Sequence, residues 1–202
     1  KPDSITRSNQ DINHAYYTAF NYLSGYDNVI ILEDDAVVLN YNKYHYNIID
    51  KYIQNNNFDI ISLGSLGLFN KINDDFYNIT SGTAGAQAQI ISKETRTLTS
   101  KQIIAGKFIG HIDLDYFSNY GVIIYKEPLV VQVFTDTENF RNWDYMPTWV
   151  HRSTTLLNGS GVSKEGWHRA YILCKLGGEI RNYKSIILLL LFVIVFIFCK
   201  KQ

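Results

Sequence analysis

The sequence predicts an α/β fold, a mostly parallel sheet flanked by helices, and three observations predict it. Short apolar runs at Val29–Leu32, Phe58–Leu63, Ile90–Ile91, Gly121–Tyr125 and Leu129–Phe134 alternate with segments whose apolar residues recur at helical spacing. The first run, Val29-Ile30-Ile31-Leu32, is unbroken and mostly β-branched, as suits a central strand buried on both faces. It leads straight into Glu33, Asp34 and Asp35. Three acids cannot be buried unpaired. They belong at the carboxyl edge of the sheet, where open α/β folds place their ligands.

In chain order, residues 1–10 are polar and read as a loop. Asp11–Leu23 sets Ile12, Ala15, Tyr16, Ala19, Phe20 and Leu23 at helical spacing, with Gly25 as its stop. After the acidic strand, Tyr41–Gln54 carries Ile48, Ile49 and Ile53 as a second helix, broken by Asn55–Asn57. Phe58–Leu63 reads as a second parallel strand, followed by a Gly64-Ser65-Leu66-Gly67 loop. Phe69–Ser81 is polar and reads as irregular. The small residues of Gly82-Thr83-Ala84-Gly85-Ala86 allow close backbone approach to a neighbour or a ligand. Ile90–Ile91 then finishes a strand, and Ser92 opens a helix with Thr95 in the place of a capping Glu. Lys126-Glu127-Pro128 separates two further short strands, and Trp167–Leu176 reads as a short helix ending at Gly177-Gly178.

The chain has 202 residues, enough for one domain with a substantial core. Lys plus Arg and Asp plus Glu both number 19, so no basic surplus marks a nucleic-acid surface. The only cysteines, Cys174 and Cys199, imply no disulfide framework. The triplets Asn78-Ile79-Thr80 and Asn158-Gly159-Ser160 match the N-glycosylation pattern and are read as chance. Ser185–Cys199 is nearly unbroken Ile, Leu, Phe and Val, with Arg181 and Lys184 before it and Lys200 and Lys201 after. As a helix it spans about 22 Å, against a hydrocarbon core of roughly 30 Å, and the flanking lysines extend its reach by snorkelling. We expect a membrane-anchor helix over 184–201; a buried core helix or strand is the alternative.

Two readings of Glu33-Asp34-Asp35 stand at this level. One is an acidic turn capping the following helix. The other is a site for a hard divalent cation, Mg²⁺ or Mn²⁺, whose ligands are carboxylate oxygens.

With the order of pieces in hand, the chain resembles glycosyltransferase family 25, the lipooligosaccharide and collagen galactosyltransferase group. The resemblance lies in Ile30-Ile31-Leu32-Glu33-Asp34-Asp35-Ala36, the preceding helix with Asn13-His14, and Gly82-Thr83-Ala84-Gly85-Ala86 before Ile90-Ile91-Ser92. It continues through Ile112-Asp113 and Pro128-Leu129-Val130-Val131-Gln132, so that it covers about residues 10–135. Such a resemblance implies a GT-A, Rossmann-like sheet over 1–150, a C-terminal extension over 151–180, a nucleotide-sugar donor (a UDP-sugar) and Mn²⁺ or Mg²⁺. It implies that Glu33 and Asp35 hold the metal, projecting together from an extended stretch, and that Asp34, Gly82, Gly85 and Ala86 lie along the donor. A base beside the acceptor hydroxyl falls to Asp113 or Asp115, and a late metal ligand to His111 or His151. Thr137-Glu138-Asn139 and Trp143 line the acceptor side, which takes a glycan or glycoprotein.

The family's opening strand–helix–strand unit, which holds the nucleotide base, has no counterpart in the ten residues before the first helix. The chain is therefore expected to be truncated, to be split from a partner, or to bind donor poorly. A non-catalytic GT-A-like scaffold tethered to a membrane is the competing reading. A metal-dependent phosphoryl-transfer enzyme is a third, opposed by the lack of a Lys/Arg phosphate cluster.

Overall fold

The structure, a computed structural model, describes residues 8–39, 42–80, 85–107, 119–132 and 167–183. Its elements in chain order are α1 (Ser8–Tyr22), β1 (Asn28–Leu32), β2 (Ala36–Val38), α2 (Lys43–Asn55), β3 (Ile60–Ser62), β4 (Phe69–Lys71), β5 (Phe76–Ile79), β6 (Ala88–Ser92), α3 (Lys93–Ile104), β7 (Val122–Tyr125), β8 (Val130–Gln132) and α4 (167–183). The mixed α/β class expected from the sequence holds. Six strands form one sheet in the order β1-β6-β3-β7-β5-β4, and β2 pairs with β8 in a separate ribbon.

The sheet is mixed, which corrects the expectation of a mostly parallel one. Only β3 and β7 pair in parallel; β1–β6, β6–β3, β7–β5 and β5–β4 are antiparallel. The reason is that β6 inserts between β1 and β3 running against both. Strands β1, β3 and β7 nevertheless share one direction, so their carboxyl ends lie along one edge.

Each face has its own cover. On one side Ile49 of α2, with Ile48, Tyr52 and Ile53 beside it, packs on Ile61, Leu63, Phe76, Ala88, Ile90, Ile123 and Tyr125. That spacing is the apolar stripe read in the sequence. Asn42 caps α2, its side chain accepting from the Tyr44 N–H at 2.9 Å. On the other side Tyr16 and Phe20 of α1 meet Ile60, Ile91 and Val122. Helix α3 lies beside α1; Ser92 caps it, accepting from the Thr95 N–H at 3.2 Å as expected. Arg96 of α3 is 1% exposed, and its guanidinium donates to the carbonyls of Leu23, Tyr26, Asp27 and Ile91. It thereby ties down the turn from which β1 departs.

Two further segments differ from expectation. The supposedly irregular stretch 69–81 contains the β4–β5 hairpin. Its polar look comes from the turn: Asn73 Oδ1 accepts from the N–H groups of Asp75 and Phe76, both at 2.9 Å. Phe69 and Phe76 are the buried anchors on either side.

Helix α4 does not stop at Gly177-Gly178 but runs through to 183. The glycines let it lie directly on β4, because a Cβ on Gly178 would fall inside the Phe69 carbonyl. Tyr171 from the same helix closes a third cluster with Phe69 and Ile124. Packing therefore overrides a punctuation signal. Gly178→Ala gains up to about 1 kcal/mol of helix propensity but overpacks this contact at a cost of about 1–3 kcal/mol. We expect net destabilisation of roughly 1 kcal/mol in urea unfolding; a more stable variant would show that α4 does not sit on β4.

Among the described residues no helix is long and apolar enough to cross a membrane. The apolar run at 185–199 lies outside them.

Candidate functional site

The shared carboxyl edge of β1, β3 and β7 collects the sequence features singled out above. The ladder of β1 continues one residue past the strand, with the Glu33 N–H donating to the Gln87 carbonyl at 3.0 Å. The chain then turns: the Ala36 N–H donates to the Glu33 carbonyl at 3.1 Å, closing a four-residue turn over Glu33-Asp34-Asp35-Ala36. Glu33 and Asp35 are half-buried, whereas Asp34 is exposed. The expectation that Glu33 and Asp35 project together rests on an extended stretch. An extended strand would set alternate side chains on one side; here a turn separates them.

Opposite the acidic turn lies the segment entering β6. Gly85 adopts φ +102°, a backbone conformation that side chains other than glycine's rarely accept. Its carbonyl accepts a hydrogen bond from Ser65 Oγ. Ser65 also contacts Ser62 Oγ at 2.5 Å, and Gln87 Nε2 donates to the Gly64 carbonyl at 2.8 Å. The loop after β3 and the approach to β6 are therefore locked together behind the acids.

Ala86, expected beside the donor, is 3% exposed and packs its methyl with Tyr16 and Phe20. Only its backbone faces a role at the edge. Gly82 lies outside the described residues, as do Asp113, Asp115, His111, His151, Thr137, Glu138, Asn139 and Trp143. The structure thus brings Glu33, Asp34, Asp35, Gly85 and Ala86 to one place.

Farther along the same edge, beyond β7, is a second polar group that the sequence reading passed over. Lys126 Nζ pairs with Asp75 Oδ1 at 2.6 Å, and this hydrogen bond raises the lysine's pKa. His45 Nδ1 lies 2.9 Å from the Tyr125 hydroxyl and its Nε2 3.8 Å from Glu127 Oε2. Burial pushes the Tyr125 phenol up to about 12, so it stays a neutral hydrogen-bonding group. The polar side chains of Ser62, Ser65, Gln87 and Gln89 were also missed, since no motif marks them; only the strand register reveals that they cluster.

Among the described residues no three His, Cys, Asp or Glu side chains converge as a metal cage. Mg²⁺ and similar hard ions are commonly held by one or two carboxylates, with phosphate oxygens and water completing the shell. No protein-family model matches the chain, and no curated protein matches it.

Proposed function

We propose that the protein is a metal-dependent glycosyltransferase of GT-A type, akin to family 25, that moves a sugar from a UDP-sugar to a hydroxyl of a glycan or glycoprotein. One observation carries this reading: the Glu33–Asp35 turn and the Gly85–Gln87 segment are hydrogen-bonded neighbours at the carboxyl edge of the sheet. These are the two most distinctive pieces of the sequence resemblance, and they are 50 residues apart in the chain.

In this reading Glu33 and Asp35 hold Mn²⁺ or Mg²⁺, which when bound neutralises charge on the departing nucleoside diphosphate. Asp34 reaches outward, and the backbone from Gly82 through Gly85 to Ala86 lies close to the donor. Asp113 or Asp115 takes the proton of the attacking hydroxyl. The apolar run at 185–199 tethers the catalytic domain, residues 1–150, to a membrane through the 151–180 extension.

Calorimetric titration of the full chain in mild detergent tests the proposal, with UDP-sugars and GDP-sugars, each with and without Mn²⁺. We expect a UDP-sugar to bind only with the metal present. A folded sample, verified by circular dichroism, that binds no donor under any condition, and still binds none when the chain is extended upstream, sinks the transferase reading. That result would favour the non-catalytic scaffold.

A further inference from the structure

The face of the sheet beneath α1 changes character along its length. Toward the amino end of β3 it is apolar, with Ile60, Ile91 and Val122 against Tyr16 and Phe20. Toward the carboxyl edge it becomes polar at Gln89. Strand alternation puts Gln89 on the same side as Ile91, and the register sets it directly between Ile31 of β1 and Ser62 of β3. Gln89 is fully buried, yet neither its Oε1 nor its Nε2 has a hydrogen-bond partner among the described residues. Two residues nearer the edge, Gln87 is 1% exposed; its Nε2 is used on Gly64, and its Oε1, which lies where a Cβ on Gly85 would fall, has no hydrogen-bond donor among the described residues. The neighbouring Ser62 hydroxyl is already engaged with Ser65.

Buried polar groups in native proteins are almost always satisfied, by protein, water or ligand. A whole carboxamide without a partner, next to a second unmatched amide oxygen, therefore calls for an occupant. We infer that Gln89 and Gln87 form a recognition subsite for a neutral polyhydroxyl ring, and so are specificity-determining residues for the donor; this rests on the transferase reading above. The chemistry follows from the groups. A carboxamide both donates and accepts, as a sugar hydroxyl does, so the two match in either orientation. A phosphate would instead face the acceptor oxygens of both glutamines. The subsite thus takes the hydroxyl-bearing part of the donor, while the charged diphosphate is left to the acidic turn. Gln89 sits roughly 7 Å inside Gln87 along the strand, and Gln87 is the nearer of the two to the edge at which Glu33 and Gly85 stand.

Hydroxyls come from two parts of such a donor, the ribose and the transferred hexose, and the experiment separates them. Full-length wild type, Q89L, Q87L and the near-isosteric Q89M are titrated in Mn²⁺ with UDP, UDP-galactose and UDP-glucose, and melted without ligand. We expect Q89L to melt at or above wild type, because an unmet amide is gone, and to bind UDP-hexose at least tenfold more weakly. Unchanged UDP affinity then assigns the hexose hydroxyls to Gln89; an equal loss for UDP assigns the ribose. Unaltered affinity for all three ligands in folded Q89L and Q89M overturns the inference and leaves an amide met only by internal water. Failure of wild type to bind any of them, with and without the upstream extension, removes the transferase reading and this subsite together.

Discussion

Glu33→Gln and Asp35→Asn are each expected to weaken Mn²⁺-dependent UDP-sugar binding by more than about 100-fold, whereas Asp34→Asn stays within about threefold. The prediction follows from the turn. The Glu33 backbone is held by its ladder bond to Gln87, and the Glu33 and Asp35 side chains are both half-buried, which limits where their carboxylates can lie. Asp34 is exposed at the corner and free to stay hydrated. A carboxylate fixed beside a cation loses most of its attraction when made a neutral amide of the same shape; one in open water had little to lose. A hundredfold is about 2.7 kcal/mol, well within what one charged ligand supplies. Melting temperatures separate this from misfolding, since isosteric replacements that relieve crowding among three like charges should shift them little. Equal losses in all three variants would mean that the acids act through overall charge. No loss in any would leave them as a plain turn.

The sequence carried the elements better than their arrangement. The helix and strand positions of α1, β1, α2, β6, α3 and β7 follow from apolar spacing and caps, which are local properties. Strand direction is not local. Nothing in Ala88–Ser92 states that it runs against both neighbours, β1 and β3. The hairpin at 69–79 was hidden because its strands are short and its turn, Asn73-Asp74-Asp75, dominates the composition. At the site, the acids and small residues were visible as residue types, but their contact was not. The same limit applies more sharply to Gln87 and Gln89. A glutamine in a strand reads as a solvent-facing residue until the fold buries it.

Arg96→Met is expected to lower unfolding stability by about 3 kcal/mol, or roughly 6–12 °C in melting temperature for a chain of this size. Arg96 carries a charge into a position with 1% exposure, and burial accordingly lowers its pKa, partly offset by the nearby Asp27 carboxylate. Removing the charge therefore relieves a desolvation penalty. Against that stand four backbone carbonyls, at Leu23, Tyr26, Asp27 and Ile91, which the planar guanidinium satisfies together. The contacts to Leu23 and Asp27, at 3.4 Å, are weak; the bond to Ile91 at 2.8 Å and the one to Tyr26 carry most of the effect. Orphaning the buried Ile91 carbonyl at about 1–3 kcal/mol, and losing the part-buried bond to Tyr26 besides, outweighs the relief, which fixes the sign. Arg96→Lys should recover less than half, since an ammonium is a point donor that cannot span the set. The consequence extends to function, because the Leu23, Tyr26 and Asp27 carbonyls belong to the turn that launches β1 toward Glu33. Chemical denaturation of Arg96→Met, Arg96→Lys and wild type decides the matter: a loss below about 1 kcal/mol for the methionine variant would mean that water replaces the guanidinium and that the turn holds β1 in place without it.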